Sequence, residues 1–210
     1  MTALIPSLPS RPASLSRRGV LTRAVPLLAA PALLSACTFE TSSYPLPPLR
    51  PTVAIDLNRY YGKWYIIGHI PYFAEAGYVG AYATYTPRPA GGIIDAYHGH
   101  KDRFSSKLFR FASIDYVQPH SDNAIWRVTV LGGAVGVPFV IFDVDPSYTI
   151  ALAGLPNRSL GWLFARSNHM DDATYQTQLE GFYHHGFDAK KFRRVPQFPD
   201  QIGKPGFEKV

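Results

Sequence analysis

An all-β domain, folded as an eight-stranded up-and-down antiparallel barrel with one C-terminal α-helix packed outside, is what this chain predicts from three observations. The first is composition. Only 17% of the 210 residues are charged, while Gly 17 and Pro 19 are plentiful, a balance that suits many short strands and turns better than long charged helices. The second is the stretch from Asp56 to Gly68, which reads as a short helical turn stopping at Gly62 and running straight into a strand that carries Trp64, Ile66 and Ile67. An indole placed there would fill the floor of a barrel and leave its other end open. The third is the recurrence, from Lys63 to Arg166, of apolar and aromatic runs between turn clusters, followed by a change to helical periodicity.

The N-terminal residues 1–36 stand apart from the fold. Ser16-Arg17-Arg18-Gly19-Val20-Leu21 resembles a twin-arginine export signal, and Val25 to Ala36 is an apolar run too short to span a bilayer. It ends in Leu34-Ser35-Ala36-Cys37, which resembles the lipobox of bacterial lipoproteins, with Cys37 as the acceptor of the lipid. Cys37 is the only cysteine, so no intramolecular disulfide can form and stability must come from packing. Several acyl chains on Cys37 would anchor the chain firmly to a membrane. Thr38 follows it where inner-membrane lipoproteins commonly carry aspartate, which places the expected anchor in the outer membrane, on the periplasmic face. Residues 37–52 are rich in Pro, Ser and Thr and read as an extended tether. Of the net charge of +6, the four arginines of the leader account for four, leaving +2 for the remainder; a nucleic-acid role has little support.

The folded domain is expected over residues 53–199, with 200–210 as a flexible tail. Its strands fall near 63–71, 79–87, 92–100, 105–114, 124–131, 137–144, 147–154 and 160–167. Asp145-Pro146 and Pro156-Asn157 are turn-forming pairs joining the last strands. In residues 171–184, Tyr175, Leu179 and Phe182 recur at helical spacing; Asp171 can cap the start and Gly186 can end the helix in the left-handed conformation. The apolar stripe of that helix is expected on the outer wall. Phe192 to Val195 could return along the sheet.

These residues carry a resemblance to the bacterial outer-membrane lipocalins, relatives of apolipoprotein D and the plant temperature-induced lipocalins, over about Val53 to Pro199. It rests on Asp56-Leu57, Arg59-Tyr60, Gly62 and Trp64-Tyr65; on Ala83-Thr84-Tyr85; on Phe142 to Tyr148; on Leu160 to Ser167; and on Glu180 to Asp188. The resemblance implies a lipocalin barrel in which Gly62 and Trp64, Asp145 and Tyr148, and Arg166 match three structural motifs. It implies that the Arg166 guanidinium lies across the Trp64 ring and bonds carbonyls of the opening turn. The chain departs from the pattern at Ile66 and His69, where relatives carry Glu and Arg, and in a less basic first loop.

Alternation puts Trp64, Ile66 and Gly68 on one face of the first strand, and the family register implies that Asp95 and Tyr97 point inward. Tyr72, Phe73, Tyr78, Tyr82, Phe109, Phe111, Phe139 and Phe142 complete the expected lining. Such a cavity would desolvate an acyl chain at about 0.8 kcal/mol per CH₂, so the expected ligand is a fatty acid or lysophospholipid. Asp95, if inward, favours a zwitterionic or cationic head. No catalytic residue, cofactor or metal is expected; a homodimer is left open. His69, His98, His100, His120, His169, His184 and His185 have no compelling ligand spacing. The alternative is a haem-binding or isoprenoid-modifying enzyme using the same cavity, and a third reading is a barrel filled by its own aromatic side chains.

Overall fold

The structure, a computed structural model, describes residues 46–210. The leader, Cys37 and most of the tether lie outside the described residues. A short helix α1 (Leu57–Tyr60) precedes eight strands: β1 (Gly62–His69), β2 (Tyr78–Pro87), β3 (Ile93–Lys101), β4 (Leu108–Val117), β5 (Ile125–Val130), β6 (Val135–Val144), β7 (Ile150–Gly154) and β8 (Gly161–Ala165). Each pairs antiparallel with the next; β8 returns to β1, and β1 pairs with β2, closing the barrel. Helix α2 (Asp172–His184) and a short strand β9 (Arg193–Arg194) follow.

Two expected strand starts shift, for local reasons. β4 begins only at Leu108 because the preceding residues form a turn, with Ser106 N–H donating to the Arg103 carbonyl at 3.0 Å. β7 begins at Ile150 because the Asp145 carboxylate gathers the N–H groups of Ser147, Thr149 and Ile150, at 3.1, 2.6 and 2.6 Å, into the turn. That turn is held in a left-handed residue, Tyr148 at φ 58°.

Two apolar cores share the barrel wall. Inside lie Tyr60, Trp64, Tyr85, Trp126, Phe139, Trp162 and Phe164; outside, Phe142, Leu152 and Leu163 meet Phe182, Phe187 and Phe192. Each fully buried large side chain is worth about 1.5–3 kcal/mol. The outer core explains where α2 docks: Phe182 is wholly buried, with its ring 5.4 Å from that of Phe142 and 4.2 Å from that of Phe192. Asp171 caps the helix by accepting from Thr174 N–H at 2.8 Å, and Gly186, at φ 85°, lets the chain reverse after it.

The seam between β1 and β2 is only half made by direct pairing, over Gly62 to Tyr65 against Tyr82 to Tyr85. Above it both strands bulge and part. The chain after β9 fills the gap: Val195 N–H donates to Ile67 O at 2.9 Å, and Pro196 O accepts from Gly80 N–H at 2.7 Å. Gln197 Nε2 reaches both edges, at 2.9 Å from Ile66 O and 3.0 Å from Ala81 O. Residues 200–210, expected as a flexible tail, are instead bound to the barrel. Phe207 bridges to Arg194, and Glu208 is buried against β1, because His69 gives its carboxylate a partner there.

Candidate functional site

The floor is one connected cluster. Gly62 takes φ 98°, a conformation open to glycine, as the chain turns from α1 into β1. Trp64 is fully buried, its Nε1–H donating to Tyr60 O at 2.7 Å. The Arg166 guanidinium lies 3.8 Å from the indole centroid and donates to the carbonyls of Lys63 (2.6 Å), Arg59 (2.7 Å), Tyr60 (3.0 Å) and Tyr61 (3.0 Å), and more weakly to that of Tyr148 (3.3 Å). The Tyr148 hydroxyl in turn accepts from Asp56 N–H at 2.8 Å, and Asp145 holds the turn that carries it. Gly62, Trp64, Asp145, Tyr148 and Arg166 thus seal one end.

Above the floor, strand register decides which side chains face the lumen. Ile66, Asp95, Tyr97, Phe109, Phe111 and Phe139 fall on the inward phase, as do Tyr78 at the mouth and Tyr72, whose ring meets Trp162 from the first loop. Three expected lining residues do not. Phe73 points into solvent, 96% exposed, on the first loop. Tyr82 lies on the outer wall, stacked on His98 at 4.5 Å, because the interior beside Trp64 is already full and β2 turns its small residues, Ala81 and Ala83, inward. Phe142 also faces out, into the α2 contact. Gly68 leaves the inward phase as well: the bulge after Ile66 turns it against Tyr175 and brings His69 inward beside Trp162.

The inward wall is apolar toward the mouth and acidic at depth. Phe109 and Phe111 keep 41% and 50% of their surface accessible, and Tyr97, Val128 and Val130 are half-buried. The lower barrel is filled by Tyr60, Trp64, Tyr85 and Trp126, whose rings meet at 5.0–5.5 Å. Asp95, directly opposite Tyr85 and Ser113, retains some accessible surface although protein encloses it, so it faces lumen. Burial, the negative charges of Asp115 and Glu75, and a hydrogen bond to Asp115 raise its pKa far above the carboxylate range. Asp115, with no exposed surface, is pushed up to about 7 by burial, against the pull of its hydrogen bonds to Ser113 and Asp95. Both carboxyls therefore hold their protons to higher pH than free ones do.

A second polar group sits nearer the mouth. His69 Nδ1 donates to Glu75 Oε2 at 3.1 Å and Nε2 to Glu208 Oε2 at 2.8 Å. Burial alone would lower its pKa; the hydrogen bonds to Glu208 and Glu75, with their charges, override that and raise it to about 9. Glu75 also accepts from Trp162 Nε1–H at 2.9 Å and from the Tyr72 hydroxyl at 3.0 Å, which ties the first loop across the mouth.

Residues 55–197 match the family model of the lipocalin-like domain. The chain belongs to the lipocalin family. It is 31% identical over 153 residues to temperature-induced lipocalin-1 of Arabidopsis thaliana, covering 68% of this chain and 80% of the relative. It is 30% identical over 178 residues to the outer membrane lipoprotein Blc of Escherichia coli K12, covering 83% of this chain and 98% of that protein. Among solved structures, insecticyanin of the tobacco hornworm Manduca sexta shares the fold at a TM-score of 0.56 with 15% identity, over 78% of this chain and 89% of that one. Lobster apocrustacyanin A1 does so at 0.52 with 15% identity, over 68% and 80%.

In this lipocalin the histidines do not converge. His69 has both ring nitrogens committed to carboxylates, His98 lies on the outer wall, His100 Nδ1 meets Ser106 O at 2.6 Å, and His185 meets Gly181 O at 2.8 Å. Among the described residues no group of His, Cys, Asp and Glu is arranged to hold a metal ion. Sequence reasoning missed Asp115, Glu75, Trp162 and Glu208 as lumen and mouth residues. For Asp115 a signal existed: alternation from Phe109 and Phe111 through Ser113 reaches it. For Glu208 none did, since its partner is set by the folded tail.

Proposed function

We propose that this lipocalin is a lipid-anchored carrier that binds a small hydrophobic ligand, a fatty acid or lysophospholipid, and stores or moves it at the periplasmic face of the outer membrane. One observation carries the reading: above a floor sealed by Trp64 and Arg166, inward aromatic side chains at Tyr97, Phe109 and Phe111 keep accessible apolar surface that an acyl chain would cover. Similarity to proteins named outer membrane lipoprotein supports the location, and Cys37 after Leu34-Ser35-Ala36 supports the anchor. The twin-arginine-like segment supports export by that route. Binding and release need no covalent chemistry, so the proposed role is not enzymatic.

The test is expression of the full chain in a Gram-negative host, with membrane fractionation and native mass spectrometry of the purified protein. The wild type should partition with the outer membrane and carry a co-purified lipid, and Cys37→Ala should release it to the soluble periplasm with the barrel still loaded. Membrane retention of the variant equal to wild type would refute the anchor. A ligand-free spectrum after extraction in non-denaturing detergent would refute the carrier role in favour of a barrel filled by its own side chains.

A further inference from the structure

We infer that the lumen takes its ligand head first, and that the head is a hydrogen-bond donor, an ammonium or hydroxyl group, received by Asp95, with the buried Asp115 and Tyr60 hydroxyl behind it. This rests on the carrier reading and specifies the ligand's chemistry. The first argument is the direction of the polarity gradient. Accessible apolar surface gathers toward the mouth at Phe109, Phe111 and Val135, whereas the accessible polar surface at depth is that of Asp95. A tail pushed to the bottom would strip solvent from carboxyl groups and return nothing, while a donor head would gain charge-assisted hydrogen bonds there and leave its chain against the aromatic wall.

The second argument is charge. The charged groups acting on Asp95 are Asp115 and Glu75, both acidic. Arg166, the cation that acts on neighbouring Tyr60, is shut beneath the Trp64 indole with its N–H groups committed to backbone carbonyls. A carboxylate or phosphate at this depth would meet repulsion with no counter-charge.

The third argument is an unmet bonding need. The Tyr60 hydroxyl has no exposed surface and no hydrogen-bond partner, and it lies in the field of Asp95. Asp115 Oδ2 is likewise buried and has no fixed donor. Tyr85, across the strand from Asp95, and Tyr72, above it, complete the titratable groups around the pair. A head group that both donates and accepts, as a hydroxyl does, or that donates several protons, as an ammonium does, fits this set. A carboxylate could accept from the Tyr60 hydroxyl but would leave Asp115 Oδ2 without a donor.

Hexadecylamine, hexadecanol and palmitate, equal in chain length and different in head, titrated into the delipidated protein and read by tryptophan quenching, test it. The amine should bind at least about tenfold more tightly than palmitate, the low end of what a charge-assisted hydrogen bond is worth, with the alcohol between them. Asp95→Asn should close that gap. Equal or tighter binding of palmitate overturns the inference and leaves the carrier reading standing; a gap that survives Asp95→Asn overturns the assignment to this pair; failure of all three to bind overturns both readings. Should Asp95→Asn not fold, the wild type decides: the preference for the amine must grow between about pH 5.5 and about pH 8.5 as Asp115, held at about 7, loses its proton, and a flat profile overturns the inference.

Discussion

Arg166 concentrates the floor into one side chain. It covers Trp64 and satisfies carbonyls from α1, β1 and the β6–β7 turn with a planar fork of donors. A lysine would keep the charge and lose the fork and the ring contact. Arg166→Lys is expected to cost about 2–3 kcal/mol in urea unfolding, with the slope of the transition unchanged. Gly62 and Trp64 were legible in the local sequence, and Arg166 was implied by the resemblance to the lipocalins. The lining residues were legible only in part. Phe139 and Tyr97 point inward, but Tyr82 and Phe142 point out, since aromatic character does not say which face of a strand is already full. Phe142 finds its burial under α2, an element far along the chain.

Among the elements, the C-terminal segment departs most from what local sequence suggested. Pro- and Gly-rich residues after Arg194 have little propensity of their own, yet they complete a barrel seam that β1 and β2 leave open above Tyr65. Gln197 is the residue that spans it, with one amide nitrogen shared between two strand carbonyls. Gln197→Leu keeps similar bulk and removes both bonds. It should cost about 1–3 kcal/mol and speed amide exchange at Gly80 and Val195 ahead of global unfolding. Unchanged exchange at those two amides would mean that the segment holds by packing alone. Helix α2 contrasts with it, because its period, its Asp171 cap and its Gly186 stop are all local signals that the structure realises.

At the scale of the whole molecule, buried titratable groups tie stability to pH. His69 has a folded pKa of about 9 against 6.5 for the free side chain, so its contribution is fully present below about pH 6.5 and is lost as pH rises through about 9. That contribution is on the order of 3 kcal/mol. Asp115 acts in the same sense over a lower window: its raised pKa favours the folded state most fully below about pH 3.8, and the advantage is lost as pH rises through about 7. Thermal midpoints should therefore fall from pH 6.5 to pH 9.5. Glu208→Gln should remove much of that fall, and Asp115→Asn should raise the midpoint at neutral pH without changing the alkaline slope. A midpoint flat across the alkaline range would show that His69 is neutral in the folded protein.

Local signals in the chain were enough for the barrel and the outer helix, because turn residues, strand alternation and helical period act over short stretches; the sealed floor was implied by the resemblance to the lipocalins. The bulges that turn His69 inward, the pairing of Asp95 with Asp115, and the burial of Glu208 come from register and from contacts between distant segments. A one-residue slip in a strand reverses its faces, and a carboxyl's proton depends on neighbours that folding alone brings near.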